Sequence, residues 1–275
     1  RNCLVGSEMC IRDRNTKITL PIDDKNRLLI SGYFGRDVVA FDNTFTNIYG
    51  NTVVNLRWNR IFSPKVFGNL SLIYSDYYYG LALDFVGFDW DSGIQNFNVK
   101  YDLSYNISEK ITLETGVQAT YYSFNPGYIQ PLTATSGFNT EQLQNKFAAE
   151  GSVYLSAKHD IAPKLALHYG LRINQFNRLA QSGLLEYANN QPLSYNPSLG
   201  IYQQGTALGF YSKAESKQNY TNLEPRFTLA YRQERSAWKA SYQRVNQYLH
   251  LISNTTSPTP LDVWTPSGRY LKPQQ

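Results

Sequence analysis

The segment Asn96–Tyr121, NFNVKYDLSYNISEKITLETGVQATY, decides the fold because apolar and polar residues alternate along it in two runs. Ser108-Glu109-Lys110 interrupts the alternation, and the same pattern restarts at Ile111. Side chains on a strand alternate between its two faces, so the segment predicts a β-hairpin with one apolar and one polar face. Each arm has about 10–12 residues, close to the length that a tilted strand needs to cross a bilayer.

The composition agrees with a membrane protein that crosses the bilayer by strands. The 275 residues have a mean hydropathy of −0.43 and contain no run of 18 apolar residues, which excludes a transmembrane helix. A mildly polar average is what alternation between lipid-facing and lumen-facing residues produces. A soluble β-sandwich shares this average, but its strands are usually shorter, about 5–6 residues. The net charge of +5 is spread along the chain without a basic run, so nucleic acid is not an expected partner.

The first fourteen residues are expected to be non-native. Leu4–Asp13 resembles the translation of a sequencing adapter, so we separate residues 1–14 from a partial outer-membrane barrel over residues 15–275. Both cysteines, Cys3 and Cys10, and the single methionine, Met9, lie in this segment. The remainder therefore has no cysteine, which suits a protein that passes through an oxidising periplasm without disulfides.

Apolar alternation predicts nine strands, and residues 15–20 are expected to form the end of another. The nine strands are 27–38, 50–62, 66–78, 96–107, 111–123, 147–160, 164–177, 222–232 and 237–249. Short turns rich in Pro and polar residues join them in pairs, whereas longer irregular segments are predicted at 39–49, 79–95, 124–146, 178–221 and 249–275.

Short turns at one end and long loops at the other are typical of bacterial outer-membrane barrels, whose short turns are periplasmic and whose long loops are extracellular. Because such barrels have an even number of strands, nine strands indicate a piece of a larger barrel. The apolar parity predicts these lipid-facing residues: Val99, Leu103, Leu113, Val117, Leu155, Leu167, Leu171 and Leu229.

One part of the chain resembles a known family. The succession NLEPRFTLAY at 222–231, KASYQR at 239–244, QYLHLISN at 247–254 and DVW at 262–264 is similar to the C-terminal barrel half of TonB-dependent outer-membrane receptors of the Bacteroidetes type. The motif-level similarity covers about residues 220–275, and the rest of the chain agrees by its strand rhythm.

The resemblance implies a 22-stranded barrel filled by an N-terminal plug domain, which this sequence lacks. It implies import of a scarce, large solute such as an iron chelate, cobalamin or a glycan, with energy relayed by the TonB system through the missing plug. Outer-membrane lipid is an expected partner, a surface lipoprotein is a candidate partner, and no cofactor is expected. The alternatives are a passive channel or another barrel without TonB, and a soluble β-rich binding protein.

Two groups of residues are candidates for function. Aromatic side chains among amides suit a large polar ligand, since rings stack and amides hydrogen-bond. The ligand-binding candidates in the predicted loops are Tyr128, Tyr187, Tyr195, Tyr202, Tyr211 and Trp264. Charged residues on the polar parity are expected to face the lumen or the plug; they are Glu114, Glu150, Arg172, Glu224, Arg226 and Arg232. The aromatics at strand ends, Tyr77, Tyr78, Tyr79, Tyr121, Tyr122 and Phe124, are expected to form an interfacial girdle.

The sequence gives little support to metal binding or catalysis. Asp84, Asp89 and Asp91 share one segment but fit no defined calcium loop, so a solvated acidic loop is the expected state. His159 and His168 flank one turn, but two ligands make a weak metal signal. No Ser-His-Asp order, catalytic carboxylate pair or phosphate-binding glycine loop stands out, so we expect neither an enzyme nor a metalloprotein.

Overall fold

The computed structural model describes residues 8–41, 44–84, 86–134, 136–252 and 263–275. Almost all regular structure is β; the one short 3-10 turn in these ranges covers Ala188–Asn190, and none of their helical residues form a segment long and apolar enough to span a membrane. The strands are β1 Glu8–Asp23, β2 Asn26–Phe41, β3 Phe45–Ser63, β4 Val66–Leu83, β5 Phe88–Ser108, β6 Ile111–Pro131, β7 Glu141–Gln142, β8 Lys146–Ala162, β9 Leu165–Arg178, β10 Leu185–Tyr187, β11 Leu193–Asn196, β12 Ile201–Gln204, β13 Ala207–Phe210, β14 Gln218–Arg232, β15 Ala237–Gln243, β16 Leu249–Ile252 and β17 Val263–Pro266.

One antiparallel sheet contains the ten long strands in chain order, β1-β2-β3-β4-β5-β6-β8-β9-β14-β15, with β7 paired to β6. Among the described residues the sheet does not close, so β1 and β15 are its two edges. All nine predicted strands are present. The tenth, β1, is the strand of which the sequence predicted only the end, and so the count of nine was one too low.

Several predicted strand boundaries were wrong at the long-loop end. The predicted loop 79–95 is mostly β4 and β5, and the predicted loop 124–146 begins inside β6. The backbone ladder continues there because Tyr79, Leu81 and Trp90 pack together in a buried cluster on it. The predicted strand 237–249 instead ends at Gln243, because the chain leaves β15 and turns onto the face of the sheet at Asn246.

The expected non-native segment lies partly on the sheet. Residues 1–7 lie outside the described residues. Residues 8–14 form the first half of β1, in register with β2 from the pair Glu8 and Ala40 to the pair Arg14 and Phe34. Backbone pairing accommodates many sequences, so the non-native origin of residues 1–14 stays a prediction.

Short turns join the strands in pairs at one end of the sheet, as predicted. Four of them leave two residues between strands, and each has a lysine at the second of these positions: Lys25, Lys65, Lys110 and Lys164. The carbonyl of each lysine accepts a 2.8 Å hydrogen bond from a backbone N–H of the next hairpin, donated by Ile61, Asn106, Asp160 and Arg232 respectively. Each turn therefore helps to fix the register of the hairpin that follows it.

The two faces of the sheet differ as the alternation predicted. Apolar residues form a continuous paired row on the outer face across five strands: Ile18, Ile30, Leu56, Leu72 and Val99. Further along the sheet, Val117, Leu155 and Leu171 are 50%, 56% and 45% exposed on this face. The opposite, inner face is polar and is partly covered by residues 244–252 and 263–268. An exposed apolar outer face is the surface that lipid would cover.

Some residues expected in the aromatic girdle lie elsewhere. Phe124 is fully buried in an inner-face cluster, and Tyr79 is 6% exposed in a second cluster with Leu81 and Trp90. Tyr121 is 47% exposed on the outer face, as a girdle residue would be. The prediction failed for Phe124 and Tyr79 because it grouped strand-end aromatics without separating the two parities of each strand.

The face assignment can be tested at neighbouring positions of β5. Leu103→Arg places a charge on the outer face within the apolar alternation of residues 97–107 and should lower the free energy of unfolding by about 2–4 kcal/mol in lipid vesicles. Ser104→Arg faces inward and pairs in register with Glu114, so its effect should stay near 0.5 kcal/mol. The comparison uses the protein expressed from its complete gene and reconstituted in vesicles. Equal losses for the two variants would refute the assignment.

Candidate functional site

The inner face carries rows of polar residues that run across neighbouring strands. One row consists of Asp102, Gly116, Tyr154, Arg172 and Glu224, paired from β5 to β14. The Tyr154 ring crosses Gly116, and its hydroxyl donates a hydrogen bond to the Asp102 carboxylate two strands away. A Cβ at Gly116 would lie 2.6 Å from the Tyr154 hydroxyl oxygen and 2.6 Å from the Tyr101 carbonyl oxygen. The missing side chain at Gly116 therefore permits this link.

Glu224 fixes the segment that covers the inner face. Its side chain is 3% exposed, and Oε1 accepts hydrogen bonds from the backbone N–H of Asn246 at 3.0 Å and from Asn246 Nδ2 at 3.2 Å. Oε2 lies 3.9 Å from Arg172 Nε, which provides a positive charge for the buried carboxylate. This explains why the chain turns inward after β15.

The other predicted lumen residues also lie on the inner face, but they do not form one site. Glu150 accepts hydrogen bonds from Asn174 Nδ2 at 2.8 Å and Tyr122 Oη at 3.2 Å. Glu114 pairs with Lys158. Arg226 lines a 280 Å³ hollow together with Arg172 and Glu114. Arg232 lies apart from them, at the short-turn end beside Lys164.

An aromatic cluster holds the covering segment against the sheet at the long-loop end. Phe176 and Tyr248 stack with ring centroids 4.7 Å apart and planes 4° from parallel. Phe124 and Ala148 complete the buried cluster, and Trp264 packs against it. Trp264, predicted as a ligand contact in a loop, thus lies on β17 at the inner face.

The longest predicted loop, 178–221, contains a β-hairpin arm rather than irregular chain. β10 pairs with β13 at its base, and β11 pairs with β12 at its tip. At the tip, Tyr195 and Tyr202 form a cross-strand pair with ring centroids 5.1 Å apart and are 56% and 71% exposed. The tip therefore offers an accessible aromatic surface.

The base of the arm contacts the C-terminal segment through a second group of tyrosines. The rings of Tyr187 and Tyr270 meet edge to face at 5.5 Å, and the hydroxyls of Tyr270 and Tyr211 are 3.4 Å apart. The Arg269 guanidinium lies 4.3 Å from the centroid of the Tyr211 ring, a cation–π contact. Sequence patterns did not single out Arg269 or Tyr270. Tyr270 is 59 positions from Tyr211 in the sequence, so no local pattern connects them.

Tyr128 is separate from the other ligand candidates. It lies on β6 rather than in a loop and pairs with Asp91 and Gln142. Its neighbour Ile129 pairs with Trp90 and packs against the cluster of Tyr79, Leu81 and Trp90 on the inner face. Because neighbouring side chains on a strand point to opposite faces, Tyr128 points to the outer face. The six predicted ligand residues therefore occupy four places: the arm tip, the arm base, the inner-face cluster and the outer face.

Two lumen-side cations were missed by the sequence analysis. Lys146 begins β8 and Arg178 ends β9, and both lie on the inner face next to the covering segment. Lys146 Nζ donates to Thr265 Oγ1 at 2.9 Å, and Arg178 Nη2 donates to Gln181 Oε1 at 2.7 Å. Each residue stands at a predicted strand end, where charge is common, so the sequence gave no reason to connect them.

The weak metal candidates gain no support from the geometry. His159 pairs in register with Leu167, and His168 pairs with Lys158, so the two imidazoles point to opposite faces of the sheet. In the described part of the chain, no three His, Cys, Asp or Glu side chains form a possible metal site.

Comparison with known proteins supports the fold. No protein-family model matches the chain, and no curated protein matches it. Among solved structures, 89% of the chain aligns with the copper transporter OprC at a TM-score of 0.64 and 9% identity, covering 38% of that protein. The alcaligin outer-membrane receptor FauA from Bordetella pertussis aligns over 88% of the chain and 36% of its own length, at 0.59 and 12% identity. The chain has the fold of an outer-membrane receptor barrel segment.

A third structure extends the comparison. The siderophore receptor PiuA from Acinetobacter baumannii aligns over 94% of the chain and 43% of its own length, with a TM-score of 0.58 and 12% identity. The chain thus spans about two fifths of the length of these three proteins. At such low identity the likeness concerns the fold, and the function needs a separate argument.

The contact between Glu224 and Asn246 gives a testable prediction. Glu224→Ala should remove the acceptor of the Asn246 N–H and the charge beside Arg172, which lowers the free energy of unfolding by about 1–3 kcal/mol. Hydrogen–deuterium exchange at Asn246 should accelerate in the protein expressed from its complete gene. Glu114→Ala is the matched control, since its partner Lys158 is exposed and such pairs contribute about 0.2–1 kcal/mol. Unchanged exchange at Asn246 in Glu224→Ala would contradict the assignment.

Proposed function

We propose that this chain forms part of the wall and mouth of a TonB-dependent receptor in the outer membrane of a Gram-negative bacterium. The observation that carries the proposal is the fold likeness to outer-membrane receptors and transporters over about nine tenths of the chain. The exposed apolar outer face supports it, because a soluble binding protein would not leave rows of aliphatic and aromatic residues uncovered along most of its sheet.

The transported solute is proposed to be scarce and large, of the iron-chelate, cobalamin or glycan class. The arm supplies exposed rings at Tyr195 and Tyr202, and its base supplies the half-buried Tyr187 and the exposed amide of Asn190, whereas Tyr211 is buried there. Rings and neutral amides suit capture of a bulky polar molecule, since few charged groups must lose their water. The chain itself contributes no catalytic step to this function. A surface lipoprotein is a further proposed partner, and the exposed arm is where it would make contact.

Dependence on inner-membrane energy distinguishes a TonB-dependent receptor from a passive channel. Cells that express the complete gene should accumulate one of three probes, ferric citrate, cobalamin or a maltooligosaccharide, and a protonophore should stop the accumulation. The purified protein should show no steady conductance in planar bilayers. Uptake that continues after addition of the protonophore, together with open-channel conductance, would favour the passive channel instead.

The role of the arm can be tested by shortening it. Residues 188–206 are replaced with Asn-Gly, which joins the paired residues Tyr187 and Ala207 by a two-residue turn and leaves the base intact. Barrel assembly should be unchanged, while affinity for the transported probe should fall about tenfold, as expected from loss of stacking contacts worth about 0.5–1.5 kcal/mol each.

A matched control separates aromatic contact from exposed apolar area. Leu199→Ser with Leu208→Ser lowers the apolar area of the arm but keeps Tyr195 and Tyr202, so probe affinity should stay within about twofold. Unchanged affinity after removal of residues 188–206, with the barrel assembled, would show that the arm only covers the mouth.

A further inference from the structure

We propose that Lys146 and Arg178 bind an acidic group of the imported solute, such as a carboxylate, sulfonate or phosphate. This inference rests on the proposed receptor function and narrows its solute to molecules that carry such a group. The pair lies at the end of the inner face toward the long loops, where Lys146 pairs with Phe124 and Arg178 pairs with Ala148. A solute that enters from the arm side would meet this end of the sheet first.

The pair differs from three other inner-face cations, Lys100, Lys158 and Arg172, each of which lies beside a carboxylate. Lys100 pairs with Asp102 at 3.0 Å, Lys158 pairs with Glu114, and Arg172 faces Glu224 at 3.9 Å. Among the described residues, no Asp or Glu forms an ion pair with Lys146 or Arg178. Their hydrogen-bond partners, Thr265 and Gln181, are neutral. Lys146 and Arg178 therefore form a local positive charge that no neighbouring carboxylate balances among the described residues.

Burial makes this positive charge costly. Arg178 is 8% exposed, and its Nε is a buried donor with no acceptor among the described residues. Lys146 is two residues from Ala148, the register partner of Arg178, and on the same face, so the two cationic side chains are diagonal neighbours. Two like charges taken out of water destabilise each other, whereas an anion between them would compensate both and accept the free Nε hydrogen.

The backbone beside the pair does not accept the free Arg178 Nε hydrogen. Gly268 lies directly against the guanidinium, and a Cβ there would be 2.2 Å from Arg178 Nη1. The Gly268 carbonyl accepts its hydrogen bond from Tyr220 Oη at 2.7 Å and is not bonded to Arg178. Lys146 is only half-buried, so an acidic group reaches the pair from the Lys146 side.

The test measures anion binding directly. The protein expressed from its complete gene is purified in detergent and titrated with sulfate, citrate and, as a neutral probe, maltoheptaose. Sulfate and citrate should raise the melting temperature in a saturable manner, because a ligand that binds the folded state stabilises it. Lys146→Gln with Arg178→Gln should weaken anion binding by about tenfold or more, as expected for loss of charge-assisted hydrogen bonds.

Two further variants separate a binding role from a structural one. Lys110→Gln with Arg235→Gln removes the same total charge from the short turns, and its anion affinity should equal that of the unsubstituted protein. Without anion, the Lys146→Gln, Arg178→Gln protein should melt no lower than the unsubstituted protein, because two uncompensated buried charges have been removed. A lower melting temperature without anion, combined with unchanged anion affinity, would show that the pair only anchors residues 263–268 and would overturn the proposal.

The outcomes also distinguish this site from the receptor function. Absence of saturable anion binding to the unsubstituted protein, with protonophore-sensitive uptake of a neutral probe, would overturn the anion site and leave the receptor function standing. Anion binding that requires Lys146 and Arg178, without energy-dependent uptake of any probe, would support the site and count against the TonB-dependent function.

Discussion

Pairing of every backbone N–H and C=O within the sheet is the constraint on which the rest of this structure depends. A strand that faces an apolar phase has no water to satisfy its backbone, so neighbouring strands must supply every partner. This requirement holds ten strands in chain order, limits most of the connecting turns at one end to two residues, and sets a period of two along each strand. Because most outer positions are apolar, most polar side chains are directed inward, where they form the rows between β5 and β14.

The sequence predicted the part of the fold that this period governs. Alternation identified nine strands, their pairing and the faces of residues such as Leu103 and Glu224. It failed where the strands extend beyond the alternation: from Tyr77 to Leu83, aromatic and small residues lie on both faces, yet the backbone continues to pair with β5. Beyond the apolar phase, water can accept unpaired backbone groups, so the strand end is decided by side-chain packing that a period of two does not encode.

In the candidate site, too, the sequence predicted which face a side chain occupies but not which residue it contacts. Parity placed Arg172 and Glu224 on the inner face, but it could not show that Glu224 holds Asn246, 22 positions later, or that Tyr154 reaches Asp102 across Gly116. These contacts depend on which residues align across several strands and on a space left by one glycine. The arm tip, by contrast, depends on a local pair, Tyr195 and Tyr202, and the sequence named both residues.

The two halves of the inner face differ in how far this chain covers them and supplies hydrogen-bond partners for their polar atoms. From β6 to β14 the chain's own segment covers the polar rows and supplies partners such as Asn246. On β2 and β3, Asp37 Oδ1, Asn55 Oδ1 and Asn59 Oδ1 are buried acceptors with no partner among the described residues. Buried polar groups are nearly always satisfied in folded proteins, so these acceptors indicate a contact surface on β2 and β3. Contact with a plug was expected at charged residues such as Glu114 and Arg226. The acceptors on β2 and β3 are additional candidates for such a contact, because Glu114 and Glu150 already have hydrogen-bond or ion-pair partners whereas these three oxygens have none among the described residues.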